Sequence, residues 1–171
     1  MFDPYALIRQ TYEDHPYQEA VALAVDFRQD AAAHFPFAAV IPYYLRDRRV
    51  PSEPLDILDV GCGAGVTTLL LAEANPGARL VAMDLSARSV QQTVARLQTQ
   101  GYTVEGQVLA LEDLPQLDRQ FDYINAHEVL YLLPDPALGL QNMAQALKPG
   151  GILRVTSTVS MAARPCIVPS P

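Results

Sequence analysis

The sequence predicts a doubly wound α/β fold with a mostly parallel sheet, in three layers of helix, sheet and helix. Three observations carry this. From residue 54 onward, short apolar runs alternate with longer segments of helical period. The first apolar run enters a turn with three alternate glycines that opens directly into a helix, and Pro149-Gly150-Gly151 later closes a helix and starts another apolar run. Strands joined by helices pair in parallel, through right-handed crossovers.

In chain order, residues 1–53 read as an N-terminal helical cap and connector. Within it, 17–35 carries apolar residues at partly helical spacing, and Pro36 and Pro42 end that pattern. The segment 46–54, with Arg46, Arg48, Arg49 and two prolines, leads into the sheet. Residues 54–157 form the core domain. Its strands are expected at about 55–60, 79–84, 103–109, 121–126 and 151–157, with a helix over 66–74 and another over 87–100. The remainder, 158–171, has neither helical period nor strand alternation and contains three prolines, so it reads as an irregular tail. Neither an internal repeat nor a low-complexity stretch is present.

The glycine turn is where chemistry is expected, because ligands of such sheets bind at the carboxyl ends of the strands, where the strand order reverses. Glycine lets the chain bend at positive φ and removes the Cβ from where a ligand meets the backbone. In Asp59-Val60-Gly61-Cys62-Gly63-Ala64-Gly65 the third glycine comes one residue earlier than in the dinucleotide fingerprint, whose last position is here Val66. A carboxylate also stands two residues before the first glycine. This motif resembles the first motif of class I S-adenosylmethionine-dependent methyltransferases, which have a Rossmann-like fold. The resemblance implies that Gly61, Cys62, Gly63 and Gly65 pass beneath the cofactor, and that Asp59 helps hold its methionine amino end, directly or through water. A cofactor with an ammonium and a sulfonium suits a carboxylate better than a helix terminus selected for phosphate.

Further matches come in order along the chain. Asp84 ends the second strand about 25 residues after Asp59, the place of a ribose-binding acid in nucleoside-binding sheets. A carboxylate accepts two hydrogen bonds from a vicinal diol. Capping of the following helix is the other reading of Asp84, and Ser86 serves that equally well. Leu85 would lie against adenine. Leu109-Ala110-Leu111-Glu112-Asp113-Leu114-Pro115 resembles the family's adenine-edge loop, except that Ala110 stands where the family often has an Asp. Glu112 or Asp113 is then the substitute acceptor or a solvated turn acid, while the Leu111 amide serves a ring nitrogen. Phe121-Asp122 and the run to His127-Glu128 resemble the fourth strand and its polar exit, placing Asn125 and His127 near the transferred methyl. His127 is the side chain whose ordinary pKa suits a general base near neutrality, although a lone histidine at a strand end is more often structural. The cap would shape the substrate cavity, with Tyr5, Tyr12, Tyr17, Tyr43 and Tyr44 as candidate lining.

At 171 residues, half of them hydrophobic, the chain fits one domain with a full core. It has no apolar run of the roughly 18 residues a membrane helix requires and no basic leader, so a soluble cytoplasmic protein is expected. Cys62 and Cys166 have no metal spacing, and no metal is expected. The net charge of −7 and the single lysine, Lys148, argue against a nucleic-acid surface.

The expectation is therefore an S-adenosylmethionine-dependent methyltransferase acting on a small-molecule acceptor, with His127 as the candidate base. A degenerate, non-catalytic cofactor- or partner-binding domain is the alternative. A nicotinamide oxidoreductase is disfavoured by Val66 and Asp59. The family's domain continues past the fifth strand, so the tail reads as a truncated or frameshifted end with the last strands missing. An uncovered fifth strand carrying Ile152-Leu153-Arg154-Val155 would then recruit another copy or the tail.

Overall fold

The computed structural model describes residues 3, 5–14 and 53–156. A short helix, α1 (Ala6–Asp14), precedes the sheet domain. Then come β1 (Asp56–Val60), α2 (Val66–Ala74), β2 (Arg79–Asp84), α3 (Ala87–Thr99), β3 (Val104–Val108), β4 (Phe121–His127), α4 (Pro136–Gln145) and β5 (Leu147–Thr156). Two 3-10 turns, Leu111–Leu117 and Leu130–Leu132, flank β4.

The five strands lie in the order β3-β2-β1-β4-β5, and every pair is parallel. The chain winds outward from β1 to β3, crosses back, and continues from β4 on the other side of β1. The order therefore reverses between β1 and β4, and their carboxyl ends splay apart there. Alternation along β1 sorts the core. Ile57 faces Leu71, Leu80 and Leu97, on the side of α2 and α3. Leu58 and Val60 face Met83, Leu111, Ile124 and Met143, on the side of α4 and the first 3-10 turn. All five residues of β1 are buried, as its unbroken apolar reading requires of a central parallel strand.

Helix starts reflect local chemistry. Ser86 caps α3 by accepting the Ser89 N–H at 3.1 Å, and Asp135 caps α4 by accepting that of Leu138 at 3.0 Å, with Pro136 in the first turn. Ser86 thus takes the capping role that was the competing reading of Asp84.

One expectation is corrected. The fifth strand begins at Leu147, because Leu147 pairs with Phe121 and the ladder resumes at Ile152 opposite Tyr123; the Pro149-Gly150-Gly151 segment is a bulge within it. In the cap, the expected helical region 17–35 lies outside the described residues, and the helix observed is α1. The tail 158–171 also lies outside them. Among the described residues β5 is an outer strand, no helix is long and apolar enough to cross a membrane, and no group of three metal-ligating side chains is present.

Candidate functional site

A cavity opens over the carboxyl ends of β1, β2 and β4. Its floor is the loop Gly61-Cys62-Gly63; its walls include Asp84 and Leu85 at the end of β2, Ala110 and Leu111, and, at the end of β4 and beyond, His127 to Val129 and Tyr131 to Leu133. Tyr5, Ile8 and Tyr12, on and just before α1, line it from above.

The three glycines have different reasons to be glycine. All have positive φ, +69° at Gly61, +52° at Gly63 and +82° at Gly65. A Cβ at Gly61 would stand 2.4 Å from Val129 Cγ2, and one at Gly65 would stand 2.8 Å from Thr93 Cα. A Cβ at Gly63 would meet nothing within 4 Å among the described residues. Gly61 and Gly65 are required by packing, whereas Gly63 presents bare backbone to the cavity. Gly65 does not line the cavity; it lets the loop press against α3, where Thr93 Oγ1 donates to the Gly63 carbonyl at 2.9 Å.

Asp84 lines the cavity and also ties its floor. One carboxylate oxygen accepts the Gly63 N–H at 2.9 Å, and the other accepts the Ser86 N–H at 2.9 Å. The Leu85 N–H also acts on this carboxylate, which keeps for a ligand only the acceptor directions that these amides leave. Burial pushes its pKa up, opposed by these backbone donors.

Asp59 stands behind the loop instead of in the cavity. It is 1% exposed, and its carboxylate accepts from Thr67 Oγ1 at 2.8 Å, Thr68 Oγ1 at 2.6 Å and Asn125 Nδ2 at 2.7 Å. It pins the first turn of α2 and the loop above it. Burial raises its pKa, and the three donors hold it down. Asn125 is likewise buried away from the cavity, its carbonyl oxygen accepting from Arg154 at 2.6 Å. The pleat explains both placements: Asp59 and Asn125 are register partners in β1 and β4 and share the face turned toward α2.

Cys62 lines the cavity with its thiol buried, and burial together with the Asp84 charge pushes the thiol pKa well up. Glu112 does not line it. One of its oxygens accepts from the Tyr5 hydroxyl, joining α1 to the first 3-10 turn, and the other is buried with no hydrogen-bond partner among the described residues. Asn142 donates to the Leu111 and Glu112 carbonyls at 3.1 and 3.0 Å and fixes that turn from α4. His127 is half-buried on the wall, its Nδ1 2.6 Å from Thr156 Oγ1. Burial and then the Arg154 charge lower its pKa, while Glu128 opposes them, so the ring is neutral at pH 7.

A family model described as a methyltransferase domain matches residues 51–169, most of the chain and the whole sheet. The chain belongs to the methyltransferase-domain family. A ubiquinone biosynthesis O-methyltransferase of Xylella fastidiosa (strain 9a5c) is 32% identical to it over 162 residues, covering 92% of this chain and 64% of that protein. An uncharacterised protein of a Synechococcus strain is 45% identical over 101 residues, covering 58% of this chain and 24% of that protein. The chain thus spans between a quarter and two thirds of the length of these relatives. Among solved structures, the N-methyltransferase NodS from Bradyrhizobium japonicum, in complex with S-adenosyl-L-homocysteine, superposes with a TM-score of 0.63 at 22% identity, covering 89% of this chain and 71% of that one. That likeness shows the Rossmann-like fold.

In this methyltransferase domain the structure brings Gly61, Cys62, Gly63, Asp84, Leu85, Leu111 and His127 to one cavity. Gly65, Asp59, Asn125 and Glu112 support it from behind or beside. Of the candidate tyrosines, Tyr5 and Tyr12 line the cavity, and Tyr17, Tyr43 and Tyr44 lie outside the described residues. Sequence reasoning did not find Thr67, Met83 or the apolar wall of Val129, Tyr131, Leu132 and Leu133. The run Val129-Leu130-Tyr131-Leu132-Leu133 directly after the polar strand exit was the available signal.

Proposed function

We propose that the chain binds S-adenosyl-L-methionine and transfers its methyl group to a hydroxyl on a largely apolar small molecule. The observation that carries the cofactor part is the open backbone at Gly63 beside the Asp84 carboxylate. That gap has the shape left by a missing side chain, with an acceptor for a diol at its edge. These residues fit the group. Asp84 would accept from the ribose hydroxyls through the acceptor directions that its backbone donors leave, Leu85 and Leu111 would enclose the adenine, and the Leu111 amide would serve a ring nitrogen.

Bound there, the cofactor supplies a methyl group already activated by positive sulfur. The chain's own part is to hold the reactants in line, exclude water and accept a proton. A neutral His127 on the cavity wall suits the last of these. The aromatic and aliphatic residues of α1 and of the second 3-10 turn suit an apolar acceptor body, and the relatives named O-methyltransferases support oxygen as its nucleophile.

Calorimetry with S-adenosylmethionine, S-adenosylhomocysteine and NAD tests the cofactor. Binding of the first two and not of NAD is expected, and Asp84→Ala, which leaves buried hydroxyls unpaired, weakens it by about 1–3 kcal/mol. Unchanged affinity in a folded Asp84→Ala variant, or a preference for NAD, refutes the assignment. Transfer of labelled methyl to phenols and alcohols, with amines as the counter-panel, tests the acceptor; exclusive transfer to amines overturns that part.

A further inference from the structure

His127 ends β4, and its partner across the parallel ladder is Thr156 at the end of β5. Two contacts fasten them. Thr156 Oγ1 lies 2.6 Å from His127 Nδ1, and the Thr156 carbonyl accepts the Glu128 N–H at 2.9 Å. Glu128 has a φ of 56°, so the chain turns sharply just where the His127 ring meets the cavity. One residue of β5 thus secures both the ring and the backbone that aims it.

With Nδ1 engaged by Thr156, chemistry that His127 performs in the cavity passes through Nε2. A neutral imidazole is a base at Nε2 only when its proton sits on Nδ1, and after protonation Nδ1 still carries a hydrogen that needs an acceptor. A hydroxyl oxygen meets both needs. Unlike a carboxylate, it orients the ring without adding a charge that would raise its basicity. Among the described residues, the charged groups that act on His127 are Arg154, on β5, and Glu128, next in the chain.

We propose that Thr156 is a positioning residue: its hydroxyl oxygen accepts the Nδ1–H of His127 and fixes the tautomer whose Nε2 takes the proton of a hydroxyl acceptor. In that step the acceptor O–H bond breaks, an N–H bond forms at Nε2, and the electron pair stays on the acceptor oxygen. The imidazolium then returns the proton to solvent. The step rests on the hydroxyl acceptor named above; the tautomer does not.

Nitrogen-15 spectra of the full chain, recorded against pH with His127→Gln to assign the signal, read the tautomer without any cofactor. The wild type and Thr156→Ser are expected to show Nδ1 protonated and His127 titrating below the ordinary value of about 6.5. The near-isosteric Thr156→Val is expected to lose that tautomer preference. In turnover, Thr156→Val lowers kcat about ten- to a hundredfold with the cofactor KM unchanged, and Thr156→Ser restores most of it. The wild-type rate should fall with decreasing pH only below about 6.5, as the lowered His127 pKa requires. A wild-type ring protonated on Nε2, a tautomer that Thr156→Val leaves unmoved, or a Thr156→Ser variant that restores nothing overturns the proposal. If the chain binds no S-adenosylmethionine, the proposed function fails and the spectra still decide Thr156.

Discussion

Alanine at Gly63 and at Gly65 should separate packing from ligand contact. At Gly63, φ of +52° makes any side chain strained, at about 1–2 kcal/mol, and the new Cβ meets nothing within 4 Å among the described residues. At Gly65, φ of +82° carries a similar backbone cost. There the Cβ would also lie 2.8 Å from the Thr93 Cα and 2.9 Å from its Oγ1, and backbone of α3 has to move. Overpacking of that kind adds about 1–3 kcal/mol. Gly65→Ala should therefore destabilise by about 2–5 kcal/mol, and Gly63→Ala by about 1–2. Urea unfolding at constant m-value gives the stabilities, and calorimetry with S-adenosylhomocysteine gives the binding. Gly63→Ala should stay folded and bind weakly or not at all, because its methyl occupies the gap. Equal destabilisation by the two variants would refute the packing argument. Undiminished binding by Gly63→Ala would show that the open face of the loop does not meet the cofactor.

Asp56, at the far end of the sheet from the cavity, is bound by Arg79 at 2.6 and 2.8 Å and by Lys148 at 2.5 Å; Arg79, then Lys148, hold its pKa well below the ordinary carboxylate value. Its contribution is fully present above the unfolded value of about 3.9 and is lost as pH falls through the lower folded value, so Asp56→Asn should destabilise at pH 7 and lose that effect only in strong acid. Thermal unfolding of both proteins across pH reads this, and a difference that vanishes already at pH 5 contradicts it. Tyr123 is 2% exposed and its hydroxyl has no hydrogen-bond partner among the described residues; burial pushes its pKa up to about 12. Tyr123→Phe should be neutral or stabilising by about 1 kcal/mol, and a clear loss in urea midpoint would mean that the hydroxyl is satisfied after all.

The strand–glycine loop–helix unit, the order of elements after it and the place of Asp84 were all legible in the sequence. Each depends on residues close together in the chain: an apolar run, glycines where φ turns positive, an acid at a strand end. Even the helix start at Ser86 could be read, because capping is local. Which polar groups reach the cavity was settled by strand pairing. Asp59 and Asn125 lie at strand carboxyl ends, as the sequence implied. The pleat turns both toward α2, and pairing of β1 with β4 makes each satisfy the other. Tyr5 reaches Glu112 across 107 positions of chain, and Thr156 meets His127 only because β5 pairs with β4 in that register. The bulge at Pro149-Gly150-Gly151 has the same origin, since Leu147 pairs with Phe121 while Lys148 reaches Asp56 and Asp122. Local patterns fix which way the backbone goes. The side-chain face and its partner depend on strand pairing between distant segments, which no local pattern encodes.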